Sequence, residues 1–438
     1  MQRIKVMMPS KKADISGRTD RRRIAVIGTG ISGLGAAWLL SRRHDVTVFE
    51  ADRRPGGHAR TVTARSKGGE FPVDTGFIVF NRVNYPNLCQ LFNRLGVAAR
   101  KSDMSFAVSV DDGAIEYGSR SLGRVIAQPK ILANPRYWRM FGDIARFNRT
   151  ALADATSTPD LTLGDLIQRR RLGSWFEKYY LLPMSGAIWS APRTEMLRFP
   201  AIPLIRFFAN HGLLSFRGHH QWWTVKGGSI TYVNKLAEDM SACMRLSSRV
   251  EAVTRNAQGV KIKVAGQDAE TFDSVVLACH ADETLAILRD AKPKEKQVLG
   301  GIPFRRNRIV LHTDARLMPR RRACWSSWVY LATSRTEECQ ASVTYWMNSL
   351  QGIPDDILIF ATLNPSMPID ESRILDEHVF EHPQYDAGTF AAQADIPSIQ
   401  GQENTWHCGA WTGMGFHEDG LASAVLVARK LGAPPPWD

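Results

Sequence analysis

Cysteine is scarce in this chain, six in 438 residues, and the six (Cys89, Cys243, Cys279, Cys324, Cys339 and Cys408) are scattered with no C-x-x-C pair. That spacing argues against a disulfide framework or a thiolate zinc site and makes a reducing compartment the expectation. No uninterrupted apolar run reaches the ~20 residues of a membrane helix. The nearest approach, residues 24–40, is broken by Gly28, Gly30, Gly33 and Gly35. Internal repeats and long low-complexity linkers are absent, as are helix-turn-helix, zinc-finger and RNA-binding signatures, so nucleic acid is not an expected partner. Ser185 lacks a G-x-S-x-G setting, which disfavours a hydrolase. His211, His219 and His220 are bunched without a carboxylate or cysteine at ligand spacing, and no metal is expected.

What is present is a chain long and apolar enough, at 44% hydrophobic, for two domains. The net charge is +13, and residues 1–23 carry eight Lys or Arg against two Asp, so residues 1–21 read as a basic disordered tail. The basic balance fits an anionic membrane surface or an acidic substrate, and equally plain solubility.

Three arginines ahead of the apolar run give residues 21–40 the outline of an export signal, but the glycines are ordered as an enzyme would need them. Ile24 to Ile27 is a short β-branched strand, Gly28-Thr29-Gly30-Ile31-Ser32-Gly33 is a G-x-G-x-x-G turn, and Leu34 to Leu40 favours helix. Gly28 permits the turn, Gly30 lets backbone N–H groups approach a pyrophosphate, and Gly33 lets helix and strand pack. A second strand, Val46 to Phe49, ends on Glu50, placed to accept hydrogen bonds from a ribose. The unit predicts a dinucleotide site.

Behind Glu50, the run "ADRRPGGHARTV" (51–62) resembles the second nucleotide motif of the flavin-containing amine oxidoreductase superfamily, which includes monoamine oxidases, protoporphyrinogen oxidase and carotenoid desaturases. The family's usual Arg after the glycine pair is here His58, so charge compensation is expected to fall to Arg54 or Arg60. The stretch 224–254, with a Gly227-Gly228 turn, a helix and a strand through Val250, resembles the family's return to the nucleotide domain. In the last flavin motif, a strand ends at Gly409 and a helix begins near Gly420. "DTGFIVFN" (74–81), "LLPMSGAIWSAP" (181–192), "RFFANHGLL" (206–214) and "GFHEDGL" (415–421) are similar to a bacterial subgroup of NAD/FAD-binding proteins. Genes of that subgroup often lie near those for cyclopropane-fatty-acid-synthase-like methyltransferases.

The resemblance implies an α/β fold: a Rossmann-type FAD-binding domain (22–85, 223–290 and 402–432) with a discontinuous α+β substrate domain (86–222 and 291–401). It implies non-covalent FAD held by Gly28, Gly30, Ile31, Ser32 and Gly33; by Glu50 and Ala51; by Arg54, Gly56, Gly57, His58 and Thr61; and by Thr75, Gly76 and Val250. From the last motif it adds Gly409, Gly415, Phe416, Asp419, Gly420 and Leu421, with free N–H groups expected at Gly420 and Leu421. Many amine oxidases of the family place a Lys near the flavin; the comparable stretch "FRRNRIVLHTDA" (304–315) has none, only Asn307, Arg308 and His312. Catalytic candidates are His211, His220, Trp222, Arg308 and His417, with Asn81, Ser185 and Trp189 as further flavin-face residues.

The function expected is dehydrogenation or desaturation of an apolar substrate, such as a fatty-acyl chain of a membrane lipid, with the electron acceptor open. The alternatives are an amine or protoporphyrinogen-type oxidase and a non-catalytic flavin-binding protein. The basic aromatic segments "NPRYWRMFGDIARFNRTA" and "PAIPLIRFFANHGLLSFRGHHQWWTV" read as a membrane-surface contact, the mouth of an apolar tunnel, or core packing. The expected place is the cytoplasm, either free or peripheral to the inner face of the cell membrane.

Overall fold

The computed structural model describes residues 21–66, 69–119, 128–189, 192–215, 218–333 and 341–438. The tail expected over 1–21 falls outside them except for Arg21, as does Cys339.

The β-branched stretch after the three arginines is the central strand, Arg23–Ile27, of a five-stranded parallel sheet. Its order is Met244–Arg245, Asp45–Phe49, Arg23–Ile27, Ser274–Leu277, Thr405–His407, drawing three distant parts of the chain into one layer. Every residue of helix Ile31–Leu40 is buried. It is apolar all round because it is sandwiched between the sheet and the C-terminal helix His417–Lys430. Glycines set that closeness: a Cβ on Gly35 would lie 2.6 Å from Leu421 Cδ1, and one on Gly420 would lie 2.7 Å from Ser32 Oγ. No helix among the described residues is long and apolar enough to cross a membrane.

The stretches "GVKIKVAG" and "FDSVVLACH" enter different sheets. Gly259–Val264 pairs with Val250–Asn256 and Glu270–Phe272 in a small antiparallel sheet, and only Ser274–Leu277, buried along its whole length, joins the parallel one.

A second layer is a seven-stranded mixed sheet. Its order is Ile374–Pro383, Phe304–His312, Phe360–Leu363, Ala341–Trp346, Trp328–Ala332, Phe106–Val110, Ile115–Gly118. Helices between 129 and 210 pack over it, burying Tyr137, Met140, Ile144, Phe147, Phe176 and Phe208 in one core. The longest, Pro135–Ser157, starts where Asn134 Oδ1 accepts from Arg136 N at 3.0 Å, with Pro135 at the first helical position. The short strands Phe80–Asn81, Trp222–Val225 and Ala99–Ser102 form a further three-stranded antiparallel sheet.

Candidate active site

One cavity of about 1140 Å³ runs from the carboxyl ends of the parallel strands to the face of the mixed sheet. At its nucleotide end the wall is largely backbone. Gly28 sits at φ +100°, and a Cβ there would lie 2.9 Å from Ala278 O. One on Gly33 would lie 1.9 Å from Gly28 O, which is why strand, turn and helix close so tightly. A Cβ on Gly30, by contrast, meets nothing within 4 Å: it would enter the cavity.

Glu50 closes this end. Its Oε2 accepts from Thr29 N at 2.9 Å and from the Thr29 hydroxyl, and its Oε1 accepts from Asp52 N at 2.8 Å. Gly56 N donates to Thr29 O at 3.0 Å, and Gly57, at φ +53°, lies so close that its Cβ would be 3.1 Å from Gly30 Cα. Two glycine loops thus form one cradle, with the first-turn N–H groups of a buried helix at its back, an arrangement that suits a pyrophosphate. The cradle, the carboxylate at its rim and the cavity's volume fit FAD.

Of the residues expected to hold FAD, the cavity is lined by Gly28, Gly30, Ile31, Ser32, Glu50, Ala51, Gly57, His58, Thr75, Gly76, Val250, Gly409, Gly415 and Phe416. Gly33 and Gly56 stand behind this wall as packing residues. Arg54 does not line it: its guanidinium donates to Gly57 O at 3.0 Å and so braces its own loop. Arg60 is spent on Asp376, at 2.6 and 2.9 Å. Thr61 is turned to Asp74 and Ser229, at 2.6 and 3.2 Å.

The last motif also differs from expectation. Its helix begins at His417, three residues before Gly420, because Asp419 Oδ2 accepts from both Met414 N (3.1 Å) and Phe416 N (2.9 Å) and folds the preceding turn back. Gly420 N is therefore committed to Phe416 O at 3.1 Å, and Gly420, Leu421 and Asp419 lie off the cavity. Burial raises the Asp419 carboxyl to about 6, and the two backbone bonds oppose that rise. Cys408 is fully buried and does not line the cavity.

Among the catalytic candidates, His211, His220, Trp222 and His417 line the cavity, and Arg308 does not. Arg308 forms an ion pair with Glu377 at 2.6 and 2.7 Å on the exposed side of its strand. His417 stacks on Phe77 with centroids 3.8 Å apart, holds Tyr232 Oη at 2.7 Å, and is pushed down to about 3 by burial. His211 is held at about 4 by burial, and its Nδ1 proton is committed to Phe207 O at 2.9 Å, leaving Nε2 as an acceptor. Phe416, Phe207, His211 and Trp222 form one continuous stack, with successive centroids 4.9, 3.9 and 6.0 Å apart. Ser185 Oγ donates to Leu181 O at 2.6 Å within its helix, while Trp189 lines the cavity. His312 is buried against Thr362, away from it.

The far half of the cavity is apolar, walled by Phe141, Ile144, Tyr180, Met184, Ile188, Trp189, Tyr345 and Leu363. The helix Pro135–Ser157 packs into the core on one side and lines the cavity wall on another. Tyr137, Met140 and Phe147 pack in the core, Phe141 and Ile144 face the cavity, and Trp138 is 53% exposed.

Sequence reasoning missed His280 and His382, which line the cavity beside His58. A signal existed for His280: it closes the loop after a fully buried parallel strand, where doubly wound sheets bind ligands. No local pattern marks His382, carried in by pairing of Arg305 with His382 at the edge of the mixed sheet.

The family model for flavin-containing amine oxidoreductases matches residues 31–306. A 42-residue stretch is 60% identical to protoporphyrinogen oxidase 2 of Arabidopsis thaliana, covering 9% of this chain and 8% of that protein. A 58-residue stretch is 38% identical to an L-amino-acid oxidase of Bothrops atrox, covering 13% and 12%. The chain therefore matches only about a tenth of the length of either relative. Over 94% of the chain the fold is similar to a fatty acid isomerase from P. acnes (TM-score 0.67, 15% identity, 99% of that chain). It is equally similar to cyclohexylamine oxidase from Brevibacterium oxydans (TM-score 0.68, 15% identity, 100% of that chain). At that identity the likeness is one of fold.

Proposed function

This chain belongs to the flavin-containing amine oxidoreductase family and uses FAD, and on that footing we propose that it dehydrogenates an apolar substrate, a long acyl chain of a membrane lipid. The observation that carries the reading is the composition of the far wall: aromatic and aliphatic side chains from the helices and the mixed sheet, with no lysine among the lining residues described. A protonated amine would gain little in such a wall, whereas an acyl chain exchanges water for it at about 25 cal/mol per Å².

Bound FAD supplies a two-electron hydride acceptor. The chain's own groups do the rest. The stack from Phe416 to Trp222 holds the substrate against the nucleotide end and excludes water. The substrate loses a hydride from one carbon and a proton from its neighbour, and His211 Nε2 takes the proton. Burial keeps that ring uncharged between turnovers, so it returns the proton to water. We place lipid access beside the helix Pro135–Ser157, whose outer side carries Arg136, Trp138, Arg139, Arg146 and Arg149, all exposed, and whose inner side lines the cavity.

Anaerobic mixing of the holoenzyme with acyl lipids and with a panel of amines tests the reading. Bleaching of the flavin by the acyl lipid, followed by slow reoxidation in air and fast reoxidation by a quinone, is the expected result. Bleaching by an amine alone, with rapid reoxidation in air, would replace it with the oxidase reading.

A further inference from the structure

FAD is anionic at its pyrophosphate, yet the described lining of the cavity is poor in fixed positive charge. Among the described residues its lining carries four carboxylates, Glu50, Asp103, Glu283 and Glu381, against one guanidinium, Arg249. The two arginines nearest the second glycine loop are turned away, Arg54 to backbone carbonyls and Arg60 to Asp376. What the wall has instead is imidazole: seven of the eleven histidines line it, three of them in contact range where the glycine loops end. His58 lies 5.3 Å from His382 and 5.9 Å from His280, centroid to centroid. Phe380 stacks on His58 at 4.6 Å and Phe304 on His280 at 4.3 Å.

We propose that His58, His280 and His382 together form the counter-charge of the cofactor site, taking up one shared proton when the anionic FAD binds. The inference rests on the FAD assignment and goes beyond it. It assigns a cofactor role to His280 and His382 and makes cofactor affinity dependent on pH.

Hydrogen bonding leaves room for that proton on the second ring nitrogen of His58 and on His280 Nδ1, with His382 as the neutral ring beside them. Asn364 Nδ2 donates to Asn307 Oδ1 at 2.8 Å, which orients Asn307 so that its Nδ2 donates to His382 Nδ1, also at 2.8 Å. His382 is thereby neutral with its proton on Nε2. His58 donates to the Glu381 carbonyl, and His280 Nδ1 stands 3.8 Å from Glu381 Oε2 and 3.9 Å from Glu283 Oε2. The remaining neighbour, His417 on the C-terminal helix, is uncharged and bound to Tyr232. Before cofactor binds, burial and the neighbouring imidazoles hold His58 well below the usual range, and burial holds His382 at about 4. Three rings this close share charge, so the first proton opposes a second and uptake stops at one.

The sign follows from linkage. An anion raises the proton affinity of the group, the bound state carries more protons than the free state, and FAD affinity rises as pH falls through that window.

Dilution of the holoenzyme, with released FAD read by its fluorescence, gives Kd from about pH 8 down to about pH 6. Kd is expected to fall as pH falls, by up to about tenfold per pH unit. His58→Gln and His382→Gln should each flatten that slope, while His58→Arg, a fixed charge at the same place, should bind FAD at the higher pH as tightly as wild type does at the lower. Melting curves of the variants report whether they fold, and His58→Arg carries the test if a Gln variant does not. A wild-type Kd independent of pH, or a slope unchanged in both Gln variants, overturns the proposal while leaving FAD in place. A purified chain that holds no FAD at all overturns both.

Discussion

At the nucleotide end of the cavity the wall is backbone and the determinants are glycines, placed where a Cβ would strike Gly28 O or enter the cofactor's path. At the aromatic end the wall is side chain and the determinants are packing partners far apart in sequence: Trp189 meets Phe199 and Phe207, and Phe207 meets Phe416. The first kind of wall accepts any dinucleotide of the right shape and tolerates no new atoms. The second tolerates exchange of one hydrophobe for another and so can be retuned for a different substrate.

The largest effect expected is at Gly33. Gly33→Val forces atoms into Gly28 O, 1.9 Å from the ideal Cβ, and should cost more than about 4 kcal/mol. Little or no soluble chain on expression is the outcome, and a normal melting curve would show that the turn can open. At the other end, Trp189→Ala should cost about 3 to 5 kcal/mol of stability. It should leave FAD stoichiometry intact while weakening acyl-ligand binding. Loss of FAD in that variant would join the two halves.

Glu50→Ala removes a ribose acceptor and leaves Thr29 N without its partner. FAD affinity should fall by about 1.5 to 3 kcal/mol, read from the Kd, with the fold unchanged. Acid acts on the whole fold through His312 and His407, both fully buried and both held by burial at about 4. They stay neutral in the folded chain while the unfolded chain protonates its imidazoles below about pH 6.5. Stability is therefore full above that value and falls as pH drops towards about 4. Asp74, raised to about 6 by burial, pulls the other way over the same range. His312→Gln should shrink the acid-induced loss of Tm. The smallest effect is at the surface: replacing Arg136 or Arg149 with Gln should cost about 1 kcal/mol each in binding to anionic vesicles.

Legibility from sequence followed the same division. The strand, turn and helix from Arg23 to Leu40, with Glu50 beyond, could be read because each feature lies within a few residues of the next and glycine has few other uses there. Arg54, Arg60 and Thr61 could not be placed, since whether a polar side chain faces a cofactor depends on competing partners such as Asp376 and Ser229. The start of the last helix was misplaced because a single carboxylate, Asp419, caps it from within. Apolar periodicity on helix Pro135–Ser157 could not separate Phe147, in the core, from Phe141, on the cavity, since a ligand chamber and a core both want the same residue types. His382 was invisible because its position is a property of strand pairing.

The glycine cradle holds FAD, and the fold stands without it. Gly30→Val tests this directly, because a Cβ at this cavity-lining position meets no atom of another segment within 4 Å. Flavin released by heat from the purified variant and from the wild type, alongside their melting curves, gives the answer. One FAD per wild-type chain is expected, and none in a Gly30→Val chain that still melts cooperatively. Full flavin content in that variant, or a wild-type chain that releases NAD in place of FAD, would contradict it.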